Sequence, residues 1–157
     1  MKAAVLTASD RCSRGEATDT SGPHIARRLG EAGFEVVGTA VVSDDRCTIA
    51  ERLRALIEEH SPDVIVTTGG TGLSARDVTP EATLDVVDRR ATGIAEAIRA
   101  AGMAHTPRAC LSRGEAGLAG TTLIVNLPGS LKAVREGMDV LVELLPHAVR
   151  MIAGEGH

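Results

Sequence analysis

The sequence predicts an α/β protein with a mostly parallel sheet covered by helices on both faces. Short apolar runs alternate along the chain with segments whose apolar residues recur at helical spacing. The runs lack the polar–apolar alternation of half-exposed strands, which indicates strands buried on both sides. A chain of 157 residues, 43% of them hydrophobic, is long enough for one core, and we expect a single domain over 1–157.

The first strand is predicted over 3–8 and is followed by a polar, glycine-containing loop over 9–21. Pro23 then indicates a helix start, because proline is favoured in the first turn, and we expect this helix to end near Gly33. A second strand is predicted over 34–42. The order strand, helix, strand is typical of a parallel sheet.

The next helix is predicted from one apolar face. Its residues at helical spacing are Ile49, Leu53, Leu56 and Ile57. Pro62 ends this helix, and a third strand is predicted over 63–68.

The second half of the chain continues the alternation. Thr79 is predicted to cap a helix that has Pro80 at its first position and Glu81 in its first turn, where a carboxylate complements the helix dipole. The remaining elements are predicted as a helix over 94–101, a short strand over 109–111, a strand over 121–127 and a last helix over 131–152 with a bend at Pro146.

Composition excludes several classes of function. Phe34 is the only aromatic residue, so stacking on bases is not expected, and a net charge of −4 argues against nucleic-acid and anionic-membrane partners. The three scattered cysteines indicate reduced thiols, and no apolar run approaches the length of a membrane span. We therefore expect a cytoplasmic protein that binds neither nucleic acid nor membranes.

The most informative segment is TTGGTG at 67–72, which directly follows the third strand. Small residues let a ligand approach the backbone, and free N–H groups can bind an anion. Arg76 adds a guanidinium suited to phosphate, and Asp77 adds a hard oxygen ligand for a cation. The Walker and dinucleotide-binding patterns are absent. Glycine content fits a different phosphate loop and a simple tight turn equally, and the neighbouring Arg76 and Asp77 favour a site.

Five polar or glycine-rich loops are predicted at one rim of the sheet. Ligands of parallel α/β sheets bind at the carboxyl ends of the strands. The loops are 9–11, 43–45, 69–79, 112–114 and 126–130. Their convergence is better evidence for a site than any single loop.

Several of these residues also have ordinary structural interpretations. One of Asp44 and Asp45 suffices to cap a helix, although two carboxylates at a strand end also suit Mg²⁺. Asp77 could simply pair with Arg76. The other structural alternatives are a surface pair of Asp10 with Arg11, an ordinary turn at Ser112-Arg113, and turn positions at Asn126 and Pro128-Gly129.

These segments together resemble the MoaB/Mog family of molybdenum-cofactor biosynthesis proteins. The residues that carry the resemblance are Ser9-Asp10-Arg11, TTGGTG at 67–72, RDVTPEAT at 76–83, LSR at 111–113 and NLPG at 126–129. They occur in the family's order and spacing over nearly the whole chain.

The resemblance implies a three-layer α/β/α domain with a five-stranded sheet, one strand of which is antiparallel, and it implies a homotrimer. The implied activity is that of Mog members, which transfer AMP from ATP to the terminal phosphate of molybdopterin. Mg²⁺ is the implied cofactor and pyrophosphate the second product. The adenylylated pterin would pass to a molybdenum-insertion protein.

The resemblance also implies residue roles. Asp44 and Asp77 match the family's two critical carboxylates, which we expect to hold Mg²⁺. Arg76 or Arg113 is expected to stabilise the transition state together with the loop amides. The implied ligand-binding positions are Gly69, Gly70, Thr71 and Gly72 around the phosphates, Ser9 and Asp10 in the first loop, Ser112 and Arg113 on the pterin side, and Asn126, Pro128 and Gly129 on the adenylate side.

Three other functions remain open at this point. The chain could be a non-catalytic pterin-binding or assembly protein of the MoaB type, because such relatives share much of the pattern. It could also act mainly by docking other cofactor-synthesis proteins, or be a generic nucleotide-binding domain, which would leave the five-loop coincidence unexplained.

Overall fold

The computed structural model describes residues 1–155, in which six strands form one sheet between two layers of helices. The strands are β1 (Lys2–Ala8), β2 (Glu35–Val42), β3 (Val64–Thr68), β4 (Arg89–Arg90), β5 (Ala116–Ala119) and β6 (Thr122–Leu127). The helices are α1 (Asp10–Ser13), α2 (Ser21–Glu31), α3 (Arg46–His60), α4 (Thr79–Leu84), α5 (Thr92–Met103) and α6 (Leu131–Ile152), with a 3-10 helix over Pro107–Leu111.

The sheet has the order β2-β1-β3-β6-β5-β4, and its first four strands are parallel. Only β5 runs against the others, because it is antiparallel to both of its neighbours. The predicted fold class, with one reversed strand, is therefore confirmed. The expected strand number of five becomes six because the two-residue β4 pairs with the edge of β5.

Both faces of the sheet are buried, as the apolar runs predicted. Val5, Val66 and Val125 face one way and belong to the cluster formed with α2, α5 and α6. The adjacent Leu6 and Ile65 face the other way and pack with α3 and α4. Successive strand residues point to opposite faces, so continuous apolar strands require a helical layer on each side.

Two predicted elements are wrong. Residues 109–111 lie in the 3-10 helix instead of a strand, because Thr106 caps the turn and Pro107 begins it. Thr79 is the first residue of α4 and does not cap it; the N-cap Val78 makes no side-chain capping bond. Strands β4 and β5 were not predicted, since β4 has only two residues and β5 consists of alanine, glycine and leucine and has little strand propensity.

The last helix is continuous over 22 residues and passes through Pro146. Ser130 caps it by accepting a hydrogen bond from the Ala133 amide at 3.3 Å. None of the helices within residues 1–155 is both long enough and apolar enough to cross a membrane.

Candidate functional site around the glycine loop

The predicted loops meet at the carboxyl edge of the parallel strands. Backbone hydrogen bonds join them in pairs: the Ser9 amide donates to Val42 at 2.9 Å, and the Gly69 amide donates to Leu127 at 3.2 Å. The loop before β5 reaches the same edge, where the Arg113 amide donates to a carbonyl of the glycine loop at 2.8 Å. The structure thus brings all five segments together.

The glycine loop has a backbone that other residues would strain. Gly69 and Gly70 have φ angles of +94° and +63°. A Cβ on Gly69 would lie 2.1 Å from the carbonyl oxygen of Ala8, and one on Gly70 would lie 2.4 Å from Oγ1 of Thr79. The loop therefore lies tightly against both β1 and the start of α4, which explains why two adjacent glycines are needed.

This loop separates two cavities. The first has a volume of about 410 Å³ and the second a volume of about 600 Å³. Gly70, Asp77 and Gly129 line both of them. A group bound in one cavity can therefore meet a group bound in the other across the glycine loop.

The first cavity is rich in carboxylates. It is lined by Asp19, Asp44 and Asp77, and by one guanidinium, that of Arg76. Ser9 lies at its wall. Acids at the carboxyl ends of strands, beside a loop with free amides, are chemically suited to a cation together with the anion that the cation neutralises.

Asp44 and Asp10 are locked to each other by reciprocal hydrogen bonds. The Asp10 amide donates to Oδ2 of Asp44 at 2.8 Å, and the Asp44 amide donates to Oδ1 of Asp10 at 3.0 Å. The neighbouring Asp45 caps α3 by accepting from the Thr48 amide at 2.8 Å. The two adjacent acids thus have different roles, and Asp44 is the one that faces the cavity.

Arg76 pairs with Asp10, and neither of the alternatives considered for these residues is found. Its Nη2 donates to the two carboxylate oxygens of Asp10 at 2.9 and 2.8 Å. Asp77 instead accepts from the Ser74 amide at 2.9 Å. Within residues 1–155, Asp44 and Asp77 therefore form no ion pair with an arginine side chain.

The two candidate catalytic carboxylates differ in acidity. Burial raises the pKa of Asp44 above the usual aspartate value. Burial also pushes the pKa of Asp77 upward, but hydrogen bonds from Ser74 and Gly72, with the charge of Arg113, outweigh it and leave that pKa lowered. At neutral pH Asp77 holds its charge easily, whereas ionised Asp44 is favoured by any cation that binds next to it.

The residues present fit Mg²⁺ when substrate phosphates complete its coordination. The Oδ1 atom of Asp44 accepts no hydrogen bond from the described residues, since the bond from Asp10 goes to Oδ2. Across residues 1–155 no cluster of three or more histidine, cysteine or acidic side chains could hold a metal alone. Mg²⁺ commonly binds through one or two carboxylates, phosphate oxygens and water, which is the donor set available at Asp44 and Asp77.

The second cavity is more apolar than the first and is lined by basic side chains. Its wall includes Ile98, Leu111 and Pro128, and three basic residues line it: Arg99, Arg108 and Lys132. Its polar lining also includes Thr71, Gly72 and Ser112. An apolar wall with a few basic groups suits a flat ring that bears an anionic substituent.

Asn126 does not lie at either cavity, contrary to its expected contact on the adenylate side. Its side chain is buried, at 2% exposure, and donates through Nδ2 to the hydroxyls of Thr67 and Thr83 at 2.9 Å. Its Oδ1 accepts from the Glu115 amide at 3.1 Å. Asn126 therefore joins β6 to β3 and α4 beneath the glycine loop, because both ends of its amide are already bonded.

The Arg113 guanidinium also turns away from the cavities. It binds the glycine-loop backbone and Glu81 instead of pointing toward a ligand on the pterin side. In addition, Ser112 and Pro128 line the same second cavity, so the expected division between pterin-side and adenylate-side loops does not follow these two residues.

Several residues that line the cavities were not predicted from the sequence. Asp19 lines the first cavity and accepts hydrogen bonds from the Thr7 hydroxyl at 2.7 Å and the Gly22 amide at 2.9 Å. An acid three residues before a helical glycine was the available signal. Arg108 and Lys132 had no comparable signal, because the 3-10 helix and the start of α6 are brought to the rim only by the fold.

Comparison with known proteins decides the family. Residues 4–147 match the sequence family described as "Probable molybdopterin binding domain". The chain belongs to this family. The resemblance to MoaB and Mog proteins is thereby confirmed.

Two curated relatives and one solved structure show the extent of the similarity. The chain is 39% identical to the molybdopterin adenylyltransferase of Helicobacter pylori J99, over 96% of this chain and 86% of that one. It is 44% identical to the molybdenum cofactor synthesis protein cinnamon of Drosophila melanogaster over 96% of its own length but only 25% of that longer protein. The crystal structure of the molybdopterin biosynthesis enzyme MoaB from Thermus thermophilus has a TM-score of 0.91 and 44% identity, with 98% of this chain and 96% of that chain covered.

Proposed function

We propose that this chain is a molybdopterin adenylyltransferase, which uses ATP to form adenylyl-molybdopterin and pyrophosphate. The observation that supports this most directly is the glycine loop between two cavities, one lined by carboxylates and the other apolar and basic. Two substrates with phosphate groups could bind on opposite sides and bring those groups together at Gly70 and Asp77. The adenylyltransferase relative is similar over most of both chains.

The proposed reaction is an in-line displacement. A terminal phosphate oxygen of molybdopterin attacks the α-phosphorus of ATP and forms the new P–O bond. The bond from the α-phosphorus to the oxygen shared with the β-phosphate breaks, and pyrophosphate leaves with its electron pair. The protein's contribution to such a reaction is positioning and electrostatic stabilisation.

Several residues could supply that stabilisation. The amides of Gly70 and Thr71 can donate to phosphate oxygens, whereas that of Gly69 is already bonded to Leu127. Arg76 can exchange its partner Asp10 for a phosphate, since both are anions with paired oxygens that suit a guanidinium. Mg²⁺ bound by Asp44 and Asp77 with the phosphates would neutralise the charge on the transferred group.

Turnover with purified protein, ATP, Mg²⁺ and molybdopterin tests the proposal, with adenylyl-molybdopterin followed by mass. We expect product that requires every component and disappears in Asp77→Ala. Binding of molybdopterin without any product from the wild-type protein would instead support a non-catalytic pterin-binding or assembly role.

We also propose a homotrimeric, single-domain cytoplasmic enzyme that passes its product to a molybdenum-insertion protein. Light scattering should give three times the 16.3 kDa chain mass. Transfer of labelled product to an insertion protein without release into bulk solution would support the partner; free equilibration of the product with a chasing pool would argue against it.

A further inference from the structure

The Arg113 side chain fastens both ends of the turn that carries Asp77. Its Nε donates to the carbonyl oxygen of Gly72 at 2.8 Å, and its Nη2 donates to the carbonyl oxygen of Asp77. Its own amide donates to the carbonyl oxygen of Thr71 at 2.8 Å. One residue thus binds three carbonyl groups of the segment from 71 to 77, before and after its turn.

Glu81 holds the guanidinium in this orientation. Its carboxylate accepts from Nη1 of Arg113 through Oε1, and Oε2 lies 3.5 Å from Nη2. The hydrogen bond from Arg113 lowers the pKa of Glu81, so the carboxylate is ionised at neutral pH. Glu81 is in the first turn of α4, which packs against β6, so the guanidinium is anchored to the body of the fold.

The segment from 71 to 77, which Arg113 and Glu81 hold in place, determines the position of the Asp77 carboxylate. Oδ2 of Asp77 accepts from the Ser74 amide and would lie 2.9 Å from a Cβ on Gly72. The carboxylate therefore lies directly over Gly72, and its place depends on the backbone at Gly72 and Asp77. Those are the two carbonyl groups that the Arg113 side chain binds.

We propose that Glu81, acting through Arg113, is a positioning residue that holds the Asp77 carboxylate between the two cavities. Arg113 is accordingly part of the loop support and not a substrate ligand. This inference deepens the proposed adenylyl transfer and rests on it for its catalytic consequence. The geometric part concerns this chain alone and can be tested without substrate.

A second role for Glu81 has to be separated from this one. An acid in the first turn stabilises a helix through the dipole, whether or not it binds Arg113. Arg113→Lys distinguishes the two roles, because it leaves Glu81 and a positive charge in place but cannot bind both Gly72 and Asp77 in a planar fork.

The helix also offers a matched control. Asp85, the C-cap residue of α4, binds Arg46 of α3 through two hydrogen bonds of 2.6 and 2.7 Å. The carboxyl side chains of Asp85 and Glu81 are both 36% exposed. Asp85→Asn therefore removes a comparable ion pair from the other end of the same helix without touching the glycine loop.

The experiment compares wild type, Glu81→Gln, Arg113→Lys and Asp85→Asn. Amide hydrogen exchange across 72–78 is measured on the protein without ligands, together with melting temperature. Steady-state assays then give kcat, the KM for ATP and the Mg²⁺ concentration for half-maximal rate. We expect faster exchange in both Glu81→Gln and Arg113→Lys, a kcat lower by about tenfold or more, and a higher Mg²⁺ requirement, with KM changed much less. Asp85→Asn should match wild type in exchange and turnover.

Each outcome decides the inference. Unchanged exchange at 72–78 in Glu81→Gln and Arg113→Lys would overturn it, and a lower melting temperature alone would leave Glu81 as a helix stabiliser only. Equal losses in Asp85→Asn would overturn it as well, because they would show a general effect of helix stability. If wild type makes no product but the exchange pattern appears as expected, the positioning of Asp77 stands and the proposed transfer fails.

Discussion

The two cavities on either side of the glycine loop differ in charge. The first is lined by Asp19, Asp44 and Asp77 against a single arginine, Arg76. The second has three basic residues, Arg99, Arg108 and Lys132, and two acids, Asp77 and Glu136. Only Asp77 among the charged residues belongs to both. The loop is thus a boundary between an acidic site and a basic one.

This difference has a chemical consequence. Three carboxylates repel a polyphosphate unless a divalent cation stands between them, whereas basic side chains attract an anion directly. A ligand of the first cavity should therefore need Mg²⁺ for tight binding, and a ligand of the second should not.

Replacing a carboxylate of the first cavity should have the largest effect on turnover. We expect Asp44→Asn and Asp77→Asn to lower kcat by on the order of a hundredfold or more, because the charge that balances the cation is lost while the shape is kept. Binding of the second cavity's ligand, measured by calorimetry, should change little in Asp44→Asn. Near-wild-type turnover in both variants would show that the acidic cavity is not the reaction centre.

A substitution at Gly70 should displace the glycine loop that separates the two cavities. Gly70→Ala would force a Cβ to 2.4 Å from the Thr79 hydroxyl at a φ of +63°, which we expect to destabilise the fold by about 1–3 kcal/mol and to impair both cavities. Gly30→Ala is the control, because Gly30 is helical with open space around its Cβ direction, and should stabilise by about 0.4–1 kcal/mol. Chemical denaturation of both variants measures the contrast. A Gly70→Ala protein as stable as wild type would mean that the loop can relax without loss.

The boundary was only partly predictable from sequence. The strands, the glycine loop and the acids at 44 and 77 follow from local signals, namely apolar runs, glycine pairs and polar residues after strands. Those signals report local backbone and burial, which is why the fold class and the position of the rim were correct. The same signals did not indicate which of Asp44 and Asp45 caps α3. In the structure the Thr48 amide donates to Asp45, which identifies Asp45 as the cap.

The side-chain directions were not predictable. Asn126 and Arg113 both belong to segments at the rim, yet one is buried against Thr67 and the other binds the loop backbone. A motif tells which residues are near a site but does not tell whether they face the ligand or support the loop. The placement of Arg108 and Lys132 at the second cavity depends on how the 3-10 helix and α6 pack at the rim, and no local sequence pattern reports that packing.

Loss of a basic side chain from the second cavity should change the affinity for a substrate. Lys132→Ala should raise the Kd of one substrate by about tenfold, with and without Mg²⁺, and leave the other substrate's Kd within about twofold. Calorimetry with ATP and molybdopterin separately identifies which substrate occupies the second cavity. Arg150→Ala, at the far end of the same helix, controls for loss of one positive charge. An effect that appears only with Mg²⁺ would contradict the assignment of the cation to the first cavity.

The smallest expected effects are on the melting temperatures of the Asp44 and Asp77 variants, and they have opposite signs. Burial raises the pKa of Asp44, so its contribution to stability is present at low pH and is lost as pH rises through that raised pKa. Asp44→Asn should therefore melt above wild type at neutral pH, and the difference should shrink on acidification toward the usual aspartate range.

Burial acts on Asp77 as well, but its hydrogen bonds and Arg113 outweigh burial and lower its pKa, so the ionised form stabilises the fold. Asp77→Asn should melt below wild type at neutral pH, and that deficit should disappear only at lower pH, as Asp77 itself becomes protonated. Melting curves of the metal-free proteins across this range give both signs in one experiment. If both variants shifted in the same direction, the two carboxylates would not differ in the way that separates a cation-dependent Asp44 from a loop-held Asp77.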